Sequence, residues 1–108
     1  MTAREILEAA ADQIERTGWC TGSYALKNGS IVHFEGADDT CKFCAEGAIR
    51  FVANYKSWTR DIGQYNSMYE ALKTVSKLVQ FPVTSWNDMH AKDGAQVVDV
   101  LRAAARTL

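Results

Sequence analysis

Cys20, His33, Cys41 and Cys44 together carry the donors of a metal centre. Three thiols and an imidazole make a Cys₃His set, and Cys41-x-x-Cys44 is a short ligand pair of the kind zinc sites use. The fold would have to bring Cys20 and His33 back to the start of the element that holds Cys41 and Cys44. Zinc sites normally draw on two short pairs and only one is short here, so the expectation is no cofactor, with zinc at these four residues as the alternative. In the cofactor-free reading Cys44 is a small buried hydrophobe, Cys41 a first-turn surface residue, and Cys20 a packing residue beside Trp19. Cys44 or Cys41 could instead be a nucleophile, because a helix N-terminus favours the thiolate. The base would then be His33 or His90, oriented by Asp88 or Asp38. No Gly-rich oxyanion motif accompanies these residues, so no catalytic residue is assigned. A thiol-dependent hydrolase or transferase centred on Cys44 is the enzymatic alternative.

Two further groups suggest recognition rather than reaction. Ser85-Trp86-Asn87-Asp88 sets an amide and a carboxylate beside an indole, and with the Gly18-Trp19 turn and Cys44 it defines a candidate ligand cleft of Trp19, Cys44, Trp86, Asn87 and Asp88. Asn87 and Asp88 also fit an Asx turn and helix N-cap, with Trp86 filling the core. Glu46 is expected to be an exposed i, i+4 partner of Arg50. Tyr55, Trp58, Arg60 and Tyr65, with Tyr69 close by, have the composition of a protein-binding hot spot, large aromatics beside a guanidinium.

The elements that must position these residues are mostly helices. Thr2-x-x-Glu5 is a capping box, after which Ile6, Leu7, Ala10, Ala11 and Ile14 recur at helical spacing until Gly18 stops the run. Asn28-Gly29, between Tyr24-Ala25-Leu26 and Ile31-Val32-His33-Phe34, predicts a short hairpin. A polar loop over residues 35–40 then leads into a second helix, approximately Cys41 to Lys56. Residues Trp58 to Tyr65 show no period and read as a loop. Ser67-x-x-Glu70 caps a third helix with Met68, Leu72, Val75, Leu78 and Val79 on one face, and Pro82 bars its continuation. Ser85 to Asp88 reads as a turn or a single helical turn. Asp93-x-x-Gln96 caps a last helix that turns Val97, Val100, Leu101 and Ala104 inward. The fold class is therefore mainly α: a compact four-helix domain, residues 1–108, with a short β-hairpin inserted after the first helix.

Composition narrows the partners. Twelve Lys+Arg against thirteen Asp+Glu give a formal net charge of −1, and the basic residues are scattered, which disfavours nucleic acid. No stretch approaches the roughly 18 apolar residues of a membrane span, and no basic segment precedes an apolar leader, so a cytoplasmic protein with no membrane association is expected. Three cysteines, an odd count, do not suggest a secreted disulfide framework, and the thiols are read as reduced.

At Gly18-Trp19, Cys44-Ala45-x-Gly47-Ala48 and Trp86-Asn87-Asp88, and in the terminal helix from Val97 to Ala105, the chain resembles a family of small uncharacterised proteins of actinobacteria and their bacteriophages. The resemblance extends over nearly the whole length and departs from the family pattern at Cys41. It implies the same helical fold and a phage or actinobacterial origin, and it brings no activity with it. With no strong catalytic constellation, the expected function is that of a small accessory protein acting as a protein-binding module. It would engage a protein partner or form a homodimer through Tyr55, Trp58, Arg60 and Tyr65.

Overall fold

Thr2 and Glu5 start the first helix by satisfying each other's amides. The Glu5 N–H donates to Thr2 Oγ1 at 3.1 Å, and the Thr2 N–H donates to Glu5 Oε1 at 2.8 Å. In the computed structural model, which describes residues 1–33, 36–54 and 62–108, this helix α1 runs Ala3–Thr17 and buries Ile6, Leu7, Ala10, Ala11 and Ile14. It ends at Gly18, whose N–H returns to the Ile14 carbonyl at 2.8 Å. Asn28 and Gly29, at φ of 53° and 81°, then turn β1 (Ala25–Lys27) into the antiparallel β2 (Ser30–Val32).

The other edge of β1 takes up a third strand, β3 (Lys42–Phe43), so the sheet has the antiparallel order β2-β1-β3. Trp19 adds a parallel bridge to Phe43. This corrects the expected helix over Cys41 to Lys56: α2 occupies only Ala45–Val52, and Lys56 lies outside the described residues. The free edge of β1 outcompetes a helical turn at residues 42–43, because pairing there satisfies backbone groups and lets Phe43 reach the core. Phe43 is fully buried and stacks on Phe51 with centroids 4.8 Å apart. Cys41, expected at the surface, is fully buried in consequence.

Helix α3 (Ile62–Val79) begins upstream of the Ser67 capping box, so Ser67 is helix interior and Tyr65 lies on a helix rather than in a loop. Gln80, at φ 65°, ends it. Pro82 stops that helix as expected and then serves as the N-cap of another, α4 (Val83–Met89), where its missing N–H leaves no helical bond unmade. Ser85 to Asp88 lie inside α4, so the helical one of the two readings holds, within a helix of seven residues. Helix α5 (Gly94–Arg106) is capped by Asp93, whose carboxylate accepts from the Gln96 N–H at 2.8 Å. The described residues thus hold five helices and a three-stranded antiparallel sheet, where four helices and a hairpin were expected. No described helix is long and apolar enough to cross a membrane.

Helix α1 packs most extensively on α5 and next on α2. Buried alanines on both sides of the first seam, Ala10 and Ala11 on α1 and Ala104 and Ala105 on α5, allow close approach. Arg102 of α5 forks onto α1, reaching Asp12 at 3.0 Å and Glu15 at 3.1 Å and 3.2 Å. These exposed bonds set the register of the seam more than its strength. Phe43, Ile49, Met68, Val75, Val83 and Trp86 complete one core cluster reached by every helix.

The hairpin is held to the helices at one carbonyl. Tyr24 C=O accepts from the Cys44 N–H at 3.2 Å, and Gly47, in the first turn of α2, lies so close that a Cβ there would overlap the same oxygen. Gly47→Ala is expected to lower stability by about 2–3 kcal/mol. This corresponds to a fall in Tm of roughly 10–20 °C, measured by scanning calorimetry. Unchanged melting would mean that α2 is not pressed against Tyr24.

Candidate functional site: the Asn87 node and the recess beside Trp19

Asn87 is fully buried on α4, and all four hydrogen-bonding positions of its carboxamide are filled. Oδ1 accepts from the Trp19 Nε1–H at 2.7 Å and from the Ala45 N–H at 2.9 Å. Nδ2 donates to the Cys20 carbonyl at 3.2 Å and to Asp88 Oδ1 at 2.9 Å. Both partners of Oδ1 are pure donors and both partners of Nδ2 are acceptors, so only one orientation of the amide satisfies the node. Asp88 Oδ1 also accepts from the Gly22 N–H at 3.1 Å. The Asx-turn and N-cap role read for Asn87 and Asp88 is therefore replaced by a tertiary one, and the cap of α5 is Asp93. Of the expected cleft residues, Trp19, Asn87 and Asp88 form one bonded set, Cys44 adjoins it through Ala45, and Trp86 is buried in the core. Asn87 has no capacity left for a ligand.

Cys44 is the N-cap of α2, its Sγ accepting from the Gly47 N–H at 3.2 Å. Two amides that a helix start leaves without partners are thus satisfied, one by this thiol and one by Asn87 from another helix. Burial pushes the Cys44 thiol up to about 12 from its ordinary 9.0, with the Gly47 amide pulling the other way. Cys44 borders a shallow recess of about 160 Å³ with Gly22, Ser23, Tyr24, Thr84 and Asp88. No histidine lines it; His90 stacks on Phe81 with centroids 4.1 Å apart. A protonated thiol without an adjacent base is a poor nucleophile.

Glu46, expected to be exposed, is largely shielded, its side chain 15% exposed. Its Oε2 accepts from the Tyr24 hydroxyl at 3.1 Å and pairs with Arg50 Nε at 2.9 Å, and its Oε1 accepts from the Thr84 hydroxyl at 3.1 Å. It therefore ties the residue before β1, α2 and α4 together. The thiols of the expected zinc set face different partners: Cys20 faces the carbonyls of Ser23 and Lys42, Cys41 faces Asp38 Oδ1 at 3.7 Å, and Cys44 faces Gly47. His33 lies just beyond β2. Among the described residues no three of His, Cys, Asp and Glu converge as a metal ion would require.

A larger recess, about 480 Å³, opens where the end of α1 meets the start of α5. Ile14, Trp19 and Val98 form its apolar wall, Gly94 and Ala95 its rim on α5, and Glu15 and Asp99 contribute carboxylates. Gly94 permits the close approach, since a Cβ there would stand 2.9 Å from Trp19 Cβ. Trp19 is thus held between Gly94 on one side and Asn87 on the other. Glu15 already shares Arg102, whereas Asp99 makes no hydrogen bond or ion pair with a described residue. The sequence reading passed over Gly94 and Asp99; the available signal was that Asp99 is the one acid in the α5 segment, set between Val98 and Val100.

Of the expected partner-binding residues, Tyr55, Trp58 and Arg60 lie outside the described residues. Tyr65 is half-buried on α3 with its ring 6.3 Å from that of Tyr69. Ile62 and Tyr69, on the same helix, are 71% and 53% exposed.

A small helical protein with a three-stranded antiparallel sheet, in which a buried amide holds a half-buried tryptophan beside an open recess, is the class these features define. The chain belongs to the family of unknown function DUF6197, which it matches over residues 1–107. No curated protein and no solved structure matches it.

Asn87→Leu leaves the Trp19 and Ala45 N–H groups without acceptors at about 1–3 kcal/mol each, so a loss of about 2–6 kcal/mol in urea unfolding is expected. A loss below about 1 kcal/mol would show that the node is dispensable. For Cys44 the folded state favours the thiol. The stability this lends is whole below the ordinary value of 9.0 and is lost as pH rises from there towards about 12. Native protein is accordingly expected to react slowly with iodoacetamide at neutral pH, whereas rapid labelling of Cys44 would restore the nucleophile reading.

Proposed function

We propose that this protein is a binding module that acts by engaging another protein. The observation that carries this reading is Trp19, an indole fixed by a 2.7 Å bond to Asn87 and lining an open recess of about 480 Å³. A rigid aromatic beside a pocket is what interface hot spots use, because its contact area costs little conformational entropy. The state of the thiols supports binding over thiol chemistry: Cys44 is buried and protonated, with no base lining its recess. A net charge of −1 with scattered basic residues favours a protein partner over nucleic acid. The partner belongs to the cytoplasm, and to an actinobacterium or one of its phages if the source follows the resemblance.

A second reading moves the contact to α3, where Ile62 and Tyr69 are exposed around Tyr65, adjoining the segment of Tyr55, Trp58 and Arg60. That face would suit a homodimer as well as a foreign partner. The two surfaces are separated by comparing wild type, Ala95→Gln and Tyr69→Ala in co-purification from actinobacterial cytoplasm, followed by affinity measurement with the isolated partner. Ala95 is exposed on the recess rim, so Gln there obstructs part of the recess without disturbing the core. Ala95→Gln is expected to weaken the complex at least about tenfold while Tyr69→Ala leaves it intact. Loss with Tyr69→Ala alone would transfer the contact to α3, and an effect of neither would sink the reading.

A further inference from the structure

We infer that the recess beside Trp19 is a receptor for one arginine side chain of the partner protein. The inference rests on the binding-module reading and specifies its chemistry. Apolar Ile14, Trp19 and Val98 line the wall, where the methylene stem of an arginine would lose its water. An indole is the best of the aromatic surfaces for a guanidinium, which stacks on it as a weakly hydrated planar cation. Asp99 supplies a carboxylate with no described partner at the same recess, and a carboxylate takes a guanidinium through two parallel hydrogen bonds.

The charge around the recess has the matching sign. Two carboxylates line it, Glu15, which Arg102 already engages, and Asp99, and no described cation lines it, although the Lys42 stem passes beside Gly18 at its edge. Arg106 lies further along the seam, where it shares a separate depression with Glu8, Asp12 and Arg102. Glu8 there is paired with Arg4. The first turn of α5, at Gly94 and Ala95, would by itself favour an anion, but Asp93 caps it with its own carboxylate. The site is also built in advance. Asn87 holds the indole edge at 2.7 Å and the missing Cβ of Gly94 lets the ring stand where it does, so little ordering is left for binding to impose.

The test uses the full chain, ¹⁵N-labelled, titrated with propylguanidinium and with its neutral isostere propylurea. Shifts are followed at the Trp19 indole N–H and at the backbone amides of Gly94, Ala95 and Asp99. Propylguanidinium is expected to shift these resonances saturably with a Kd on the order of 1 mM. The Asp99→Asn variant, altered at an exposed position, should bind it about three- to tenfold more weakly with unchanged melting. Equal response to propylurea would overturn the arginine assignment while leaving the recess as a binding site. Shifts that scatter without saturating, or binding unchanged in Asp99→Asn, would also overturn it. In each of those cases the release of partner by Ala95→Gln still decides the binding-module reading on its own.

Discussion

The carboxamide of Asn87 is the group on which the arrangement of this protein turns. Hydrophobic burial brings α1, α2, α3 and α5 together, but burial is indifferent to orientation over a wide range of packings. A fully buried amide is not indifferent. Its two donors and two lone pairs must all find partners at about 3 Å, or the fold bears the cost of leaving them dry and unsatisfied. Here the partners come from the Trp19 turn, the Cys20 carbonyl, the start of α2 and the neighbouring Asp88. One side chain of the short α4 therefore fixes the ends of elements that are far apart in sequence, and any slip of α4 along its axis would break several bonds together.

This arrangement explains why the chain spends cysteine and glycine at α2. The start of that helix is crowded by the Tyr24 carbonyl on one side and Asn87 on the other, so the residue at Gly47 must lack a side chain. The N-cap must also be small and able to work while buried. Cys44 meets both needs, packing as a small hydrophobe while its sulfur accepts from Gly47. The same burial holds the proton on the thiol, because a thiolate there would be poorly solvated. The chemistry-bearing appearance of Cys44-Ala45-Glu46-Gly47 is thus accounted for by helix capping and close packing, with Glu46 committed to Tyr24, Arg50 and Thr84.

At the other end of the node the consequence is a fixed ring. Trp19 is held in place from behind, so its surface is available to line a recess without having to be ordered on contact. The carboxylates of Glu15 and Asp99 line the recess, and Arg102 engages only the first. Rigidity and charge at this place are products of the fold's own requirements, namely an amide that needs an acceptorless indole and a helix pair that needs a register. The binding-module reading makes use of a surface those requirements had already built.

Much of the architecture was legible along the chain. The capping boxes at Thr2 and Asp93, the stop at Gly18, the Asn28-Gly29 turn and the apolar stripes of α1 and α5 are local signals, each decided by residues within a few positions of one another. DUF6197 membership is likewise a property of the sequence alone. The features that were misread are those decided over long distances. Residues 42–43 became a strand because β1 offered a free edge, and Ser67 fell inside α3. The three motifs around Trp19, Cys44 and Asn87 stood out as separate segments, but that they meet at one amide could not be read from spacing. Asn87 lies 68 positions from Trp19 and 42 from Ala45. Sequence by itself determined α1, the Asn28-Gly29 turn and α5, and which residues are too shape-demanding to be incidental. Tertiary structure alone decided what surrounds Asn87, Cys44 and Asp99, because whether a polar group finds its partners or its water is settled by distant parts of the chain.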